Sequence, residues 1–167
     1  MTLDELKKIL TDAGCVGAGG AGFPTAVKLA EGADTLMINA AECEPLLYSD
    51  LTLMKQHLQD VAQGAEYVLS ATKIPQALLG VKQHTAERLG LSDGQAISDH
   101  VKVKCLPNVY PMGDEVILIY QALGRIVPPG QLPLTVGVIV MNAETLYNVC
   151  HAVQDGAAVT KKWITVG

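Results

Sequence analysis

The sequence predicts a three-layer α/β domain in which helices cover both faces of a mainly parallel sheet. Short apolar runs that fit buried strands alternate along the chain with segments in which apolar residues recur every three or four positions. The chain has 167 residues, of which 49% are hydrophobic and 17% charged, which is enough for one domain with its own core. Ligands of such sheets bind at the carboxyl ends of the strands.

Five strands are predicted from apolar runs of four to six residues. The run Glu115–Leu123 is ambiguous, because Val116–Ile119 has the propensity of a strand although a buried helix is also apolar all round. Residues 127–133 are rich in proline and predict an extended loop. The predicted strands cover residues 35–38, 76–81, 101–105, 136–141 and 163–166.

The helices are predicted from apolar spacing together with start and stop signals. Thr2 and Glu5 form a capping box at the start of the first helix, and Gly14 ends it. Gly64 is a candidate break in the long third helix, and Asn142 is the expected N-cap of the last helix. The predicted helices cover residues 3–13, 25–30, 49–68, 84–89 and 145–153.

Composition and charge argue against several classes of function. The net charge is −5 with no Lys/Arg cluster, so we expect no nucleic-acid partner. We find no apolar run of transmembrane length and no secretory signal at the start, so we expect a cytoplasmic protein. Because the cysteines are spread singly, we also expect no metal site within the chain. They are Cys15, Cys43, Cys105 and Cys150.

The segment Gly17–Pro24 is the strongest candidate for a ligand-binding loop. Glycine leaves the backbone bare, so N–H groups can close around a phosphate or a flat ring. Glycine runs also occur in flexible linkers, and the pattern alone leaves both alternatives open. Three polar loops that follow predicted strands are expected to converge with it on one crevice. These loops cover residues 39–45, 110–115 and 141–145.

Several short motifs together carry a resemblance to a known family. They are Gly17–Thr25 with Lys28, Asn39–Pro45, Tyr110–Glu115, Arg125–Pro133 and Asn142–Leu146. In this order they resemble the family of the NADH-binding flavoprotein subunit of respiratory complex I and the C subunit of the Rnf electron-transport complex. The chain resembles at least as well a close relative of the Rnf branch, the cobalamin reductase of propanediol-utilisation bacterial microcompartments.

The resemblance implies a Rossmann-like domain with bound flavin mononucleotide (FMN) that accepts hydride from NADH. Its members continue into a β-grasp domain and a domain with two [4Fe–4S] clusters. We therefore expect residues 1–167 to be the FMN- and NADH-binding domain of a shortened or split protein, without those clusters.

The resemblance leaves the electron acceptor and the partners open. Electrons would pass through the clusters of the full-length protein to cobalamin, with redox, enzyme or shell proteins of a microcompartment as partners. An Rnf-type subunit that serves ferredoxin or quinone is one alternative. A docking module that binds flavin but has lost NADH turnover is another.

The resemblance also implies which residues contact the cofactors. Lys28 would lie near the flavin phosphate, and Asn39 would bond the isoalloxazine edge. Acidic residues such as Glu42 would line the flavin and accept hydrogen bonds from the ribose of NADH. The implied binding residues are Gly17, Gly19, Gly20, Gly22, Lys28, Asn39, Glu42, Glu44, Tyr110, Asp114, Glu115, Asn142 and Thr145.

Several of these side chains also have a plainer interpretation. Lys28 and the glutamates could be solvated, Asn39 could form a turn, and Glu115 could be an ordinary first-turn carboxylate. The chain departs from the complex I proteins at Asp114, which is shorter than their glutamate, and at Met141, which replaces an asparagine. Whether Cys43 tunes the flavin or only packs is left open.

Overall fold

The computed structural model describes residues 1–166 and contains a four-stranded sheet in which every strand runs parallel to its neighbours. The strands lie in the order β3-β2-β1-β4 across the sheet. The predicted α/β fold class and the four internal strands are confirmed. The strands are β1 Thr35–Asn39, β2 Ala77–Lys82, β3 Val101–Leu106 and β4 Val138–Asn142.

Six helices and a short 3-10 helix lie before, between and after the strands within the described residues. The predicted capping box is confirmed, since Thr2 Oγ1 accepts from the Glu5 N–H and the Glu5 carboxylate accepts from the Thr2 N–H. The helices are α1 Leu3–Asp12, α2 Thr25–Lys28, α3 Ser49–Thr72, α4 Gln83–Leu89, α5 Glu115–Leu123 and α6 Ala143–Asp155, with the 3-10 turn at Pro133–Val136.

The ambiguous run Glu115–Leu123 is a helix, and its first turn explains why. Asp114 Oδ1 accepts hydrogen bonds from the backbone N–H groups of Val116 and Ile117 at 3.0 and 3.1 Å. A side-chain cap of this kind satisfies two backbone donors that would otherwise lack partners. Capping therefore outweighs the strand propensity of the apolar residues that follow.

The predicted break of α3 at Gly64 is wrong. The helix runs through Gly64 and is irregular at His57, where φ is −135° and ψ is 28°. A Cβ atom at position 64 would lie only 2.0 Å from the carbonyl oxygen of Leu146 in α6. Gly64 therefore allows two helices to pack with their backbones in contact, and the missing side chain does not interrupt the helix.

The predicted strand at residues 163–166 is also wrong. Residues 157–166, here called the terminal segment, contain no strand. Their hydrogen bonds go to helices and loops: Val159 N donates to Ala13 O at 2.9 Å, and Trp163 N donates to Glu144 Oε1 at 3.0 Å. The segment contacts α6 and the residue after α1, and it pairs with no edge of the sheet.

The two faces of the sheet carry separate hydrophobic clusters. The larger cluster contains buried residues of α1, α3, α4 and α6, such as Leu10, Leu53 and Leu146. The smaller cluster contains Leu118 and Ile119 of α5. The chain thus crosses one face from β1 to β2 to β3 and returns over the other face to β4, beside β1. The order of connections reverses between β1 and β4, and ligands of open α/β sheets bind at such reversals.

The longest helix, α3, does not meet the requirements of a membrane span. Within residues 1–166, no helix combines the length and the apolar character needed to cross a bilayer.

Candidate functional site

A cavity of about 350 Å³ opens where the order of connections reverses, at the carboxyl ends of β1 and β4. Four elements meet around it: the segment Gly17–Pro24, here called the glycine loop, then α2, the loop before α5 and the first turn of α6. Its volume falls in the usual range of small-molecule sites. The predicted site residues that line this cavity are Gly17, Gly19, Lys28, Asn39, Asp114, Glu115, Asn142 and Thr145.

Two asparagines end the strands that lead to the cavity. Asn39 Nδ2 donates to the carbonyl oxygen of Gly113 at 2.8 Å, and its Oδ1 accepts from the Ala41 N–H at 3.1 Å. Asn142 is the N-cap of α6, as predicted, and its Oδ1 accepts from the Glu144 N–H at 2.9 Å. The two side chains therefore hold the surrounding loops in place and leave only part of their amide groups for a ligand.

The glycine loop rests on the first turn of α6. The Ala18 N–H donates to Thr145 Oγ1 at 2.9 Å, and the Gly17 N–H donates to the Phe23 carbonyl at 2.7 Å. Gly20 has φ of +123°, a conformation that residues with side chains rarely adopt. Gly20 and Gly22 face a smaller cavity of about 150 Å³ beside α6, so the loop presents glycines on two sides.

A lysine and a glutamate stand at the mouth of the main cavity. Lys28 Nζ lies 3.7 Å from a carboxylate oxygen of Glu115, and both side chains are partly exposed. Such an exposed ion pair contributes little to folding, so a bound anion can compete for the lysine at small cost. The neighbouring Asp114 uses one carboxylate oxygen to cap α5, as described above.

Besides Gly20 and Gly22, three predicted site residues do not line this cavity. Glu42 is turned toward α3, where its carboxylate accepts from the Ser49 hydroxyl at 2.7 Å and from the Ser49 N–H at 3.2 Å. Glu42 and Glu44 line a separate cavity of about 330 Å³ next to α4. The side chain of Tyr110 is largely exposed. The structure therefore brings the glycine, lysine, asparagine and α5 residues together, but not these three.

Sequence reasoning missed the hydroxyl of Thr25. Thr25 is buried and lines the main cavity, and its Oγ1 has no hydrogen-bond partner among the described residues. A buried hydroxyl without a partner is costly, which makes it a natural donor for a ligand oxygen. Its place directly after Pro24, within the glycine motif, was the signal that could have identified it.

A second missed group is the carboxyl of Asp50, in the first turn of α3. Its Oδ2 lies 3.4 Å from Nδ2 of Asn142, directly behind the main cavity. Burial raises the pKa of Asp50 to about 7, and the nearby charges of Glu42 and Glu144 add to the rise. No sequence signal distinguished it, because first-turn carboxylates are usually solvated.

The side chains suited to metal binding are spread over the molecule. Among residues 1–166, no group of three or more His, Cys, Asp or Glu side chains is placed to hold a metal ion.

The comparison with protein families identifies a cofactor-binding domain. The family model described as the Nuo51 FMN-binding domain matches residues 10–151. The chain is 39% identical over 166 residues to the cobalamin reductase PduS of Salmonella typhimurium strain LT2, covering 99% of this chain and 37% of that protein.

Other relatives belong to ion-translocating complexes. The chain is 34% identical over 170 residues to the C subunit of the Na(+)-translocating ferredoxin:NAD(+) oxidoreductase complex of Acetobacterium woodii, covering 99% of this chain and 38% of that protein. Over 169 residues it is 32% identical to the C subunit of the ion-translocating oxidoreductase complex of Vibrio cholerae, covering 99% of this chain and 22% of that protein.

A solved structure has the same fold. A chain of the NAD+-reducing [NiFe]-hydrogenase in its H2-reduced state superposes with a TM-score of 0.73 and 26% identity, covering 90% of this chain and 30% of that one. The present chain therefore spans between about a fifth and two fifths of the length of the proteins it matches.

Proposed function

We propose, on the premise that this chain belongs to the Nuo51 FMN-binding domain family, that its main cavity holds FMN for oxidation of NADH. When bound, FMN accepts a hydride from NADH and releases the electrons one at a time, which nicotinamide does not do easily. The observation that carries this proposal is the convergence of the glycine loop with Asn39 and Asn142 at the reversal between β1 and β4.

The phosphate end of the cofactor has a matching set of donors. The unpartnered Thr25 hydroxyl and the weakly paired Lys28 ammonium both line the cavity. Thr145 lies in the first turn of α6, a 13-residue helix whose N-terminus favours negative charge. We assign the phosphate to this side because hydroxyl, ammonium and helix N-terminus all favour an anion.

The ring end is assigned to the glycines and to the strand ends. Gly17 and Gly19 leave one wall of the cavity without side chains, so a flat ring can lie close to the backbone. Asn39 and Asn142 offer the amide capacity that their internal bonds leave free. Asp114 lines the same cavity, and its negative charge would disfavour an anionic reduced flavin and so lower its reduction potential.

The role in the longer protein follows from the relatives. We propose that electrons pass through [4Fe–4S] clusters outside this chain to cobalamin, because identity to the cobalamin reductase is 39%. A ferredoxin- or quinone-linked complex is the second candidate, because identity to the two C subunits is 32–34%. The first candidate would place the protein with enzyme and shell proteins of a bacterial microcompartment, and the second with a membrane complex.

The test is reconstitution with FMN followed by addition of NADH under nitrogen. We expect the desalted protein to keep a flavin absorbance band, and NADH to bleach it. Gly19→Val should lose the band, because its side chain would enter the cavity against Asn142, whereas Ala157→Val on the exposed terminal segment should keep it. A colourless wild-type protein would refute the proposal, and a yellow protein that NADH leaves unbleached would favour the docking module.

A further inference from the structure

The terminal segment contacts the glycine loop and α6 beside the smaller cavity. Lys162 Nζ donates to the carbonyl oxygen of Ala18 at 2.7 Å and forms an ion pair with the Glu144 carboxylate. Trp163 N donates to the other oxygen of Glu144, and the Tyr48 N–H donates to Thr165 Oγ1 at 3.1 Å. The segment thus connects the glycine loop, the start of α6 and the residue before α3.

Both backbone polar groups of Ala18, its N–H and its carbonyl, are hydrogen-bonded to side chains. Its N–H donates to Thr145 Oγ1, and its carbonyl accepts from Lys162 Nζ. Ala18 lies between Gly17 and Gly19, and glycine has more backbone freedom to lose on ordering than any other residue. Two side chains from distant parts of the chain therefore fix the loop at its centre.

Glu144 gives the lysine a buried anchor. The Glu144 side chain is 3% exposed, although the Lys162 side chain is 54% exposed. A buried carboxylate needs a countercharge and hydrogen bonds, and here it receives both from Lys162 and Trp163 N. Lys162 is therefore unlike an ordinary surface lysine, whose ion pair would be weak and interchangeable.

We propose that Lys162 is a positioning residue for the glycine loop: by tying the Ala18 carbonyl to Glu144, it holds the loop in the conformation that binds the cofactor. This inference rests on the proposed function, since the ligand is FMN. Because coupling between two sites is reciprocal, bound FMN in turn strengthens the attachment of the terminal segment.

The central experiment compares Lys162→Met with Lys161→Met, a substitution of the adjacent lysine, which is also exposed. We expect FMN to bind about tenfold more weakly to Lys162→Met, as for loss of a hydrogen bond to a charged group, and within about twofold of wild type to Lys161→Met. Lys162→Arg should restore most of the affinity, because it keeps a charged donor at this position.

A double variant separates positioning from stability. Lys162→Met leaves Glu144 buried without its countercharge, which destabilises the fold by itself. Lys162→Met combined with Glu144→Gln removes that charge, so the melting temperature should recover. The affinity for FMN should stay low, because the Ala18 carbonyl still lacks its donor. Recovery of both properties together would overturn the inference.

Two measurements on the cofactor-free protein complete the test. Hydrogen exchange at the amides of residues 18–20 should be faster in Lys162→Met than in Lys161→Met. The emission of Trp163, the only tryptophan, should shift to the red as the terminal segment detaches.

The two possible failures are distinguishable. If wild type binds FMN and both methionine variants bind it equally well, the inference fails and the proposed function stands. If wild type binds no FMN, the proposed function fails, and equal exchange in the two variants would show that Lys162 does not position the loop either.

Discussion

The two halves of the sheet end differently at their carboxyl edge. In one half, the paired strands β1 and β4 end in Asn39 and Asn142, which lie opposite each other in register. In the other half, β2 and β3 end in Lys82 and Leu106, and α4 begins directly after β2. The glycine loop covers the first half only, and the cavity that collects most predicted site residues lies there.

This difference shows that the order of the strand connections, more than the polar side chains at the strand ends, determines where the main cavity lies. Both halves present polar groups at a strand end, and the second half has its own cavity of about 330 Å³, lined by Lys82, Arg88 and Glu42. Only between β1 and β4 does the order of connections reverse. The chain leaves β1 over the face that carries α3 and reaches β4 over the face that carries α5, so a crevice opens between these two strands. Substitutions that are matched across the two halves should therefore affect cofactor binding in one half alone.

The largest difference in FMN binding is expected between alanine substitutions of two glycines, Gly113 and Gly90. At Gly113, a Cβ atom would lie 2.7 Å from the Ala41 carbonyl oxygen and 3.1 Å from Cys43 Sγ. Gly113→Ala should displace the loops that Asn39 joins, lower the free energy of unfolding by about 2–3 kcal/mol and abolish most FMN binding. Gly90→Ala, at the end of α4, should cost about 1 kcal/mol without changing FMN affinity. Thermal melts and FMN titrations measure both effects.

The next comparison is between substitutions of Asn142 and Asn108. Asn142→Ala removes the cap of α6 and an amide of the cavity, so we expect a loss of about 1–2 kcal/mol in stability and about tenfold in FMN affinity. Asn108 accepts from the His84 N–H at 3.1 Å in the other half. Asn108→Ala should destabilise by about 0.5–1 kcal/mol and leave the affinity unchanged. Equal loss of affinity in both variants would contradict the division into halves.

The pH dependence of stability tests the buried acid behind the cavity. Because the pKa of Asp50 is raised from 3.8 to about 7, the folded state holds its proton more tightly than the unfolded state does. The free energy of unfolding therefore falls as the pH rises between these two values. In Asp50→Asn, the loss of stability from pH 5 to pH 8 should shrink by about 2 kcal/mol, as urea melts would show. Asp99→Asn, at an exposed position, should keep the wild-type slope.

The smallest effect is expected at the surface of the β2–β3 half. The guanidinium carbon of Arg88 lies 5.6 Å from the centre of the Tyr48 ring. Arg88→Ala should cost about 0.5–1 kcal/mol, the usual contribution of an exposed cation–π contact, and should not alter FMN affinity. A clear drop in affinity would indicate that the cavity beside α4 takes part in cofactor binding.

The sequence predicted the elements that have local signals. The capping box of Thr2 and Glu5, the N-cap at Asn142 and the four internal strands depend on neighbouring residues and on apolar spacing. The run Glu115–Leu123 stayed ambiguous because its composition fits both structures, and one aspartate decided it. The convergence of three loops on the glycine segment followed from strand direction alone.

The features that the sequence could not predict depend on contacts between distant residues. Gly64 has the sequence signature of a break, whereas it faces the backbone of Leu146. Residues 163–166 look like a strand, but the partner of Trp163 N is a carboxylate on α6. Glu42 lies in a motif that predicts cofactor contact, yet Ser49 offers its carboxylate two nearer donors. In each case the residue that makes the contact is distant in the sequence or replaces the contact that the motif predicts.

The contact between Gly64 and Leu146 also limits how the molecule can move. With backbone against backbone, neither α3 nor α6 can rotate or slide past the other without a collision. The part of α3 around Gly64 and the first turns of α6 therefore move as one rigid unit. We therefore expect any rearrangement on ligand binding to be confined to the loops, with these two helices as a fixed frame.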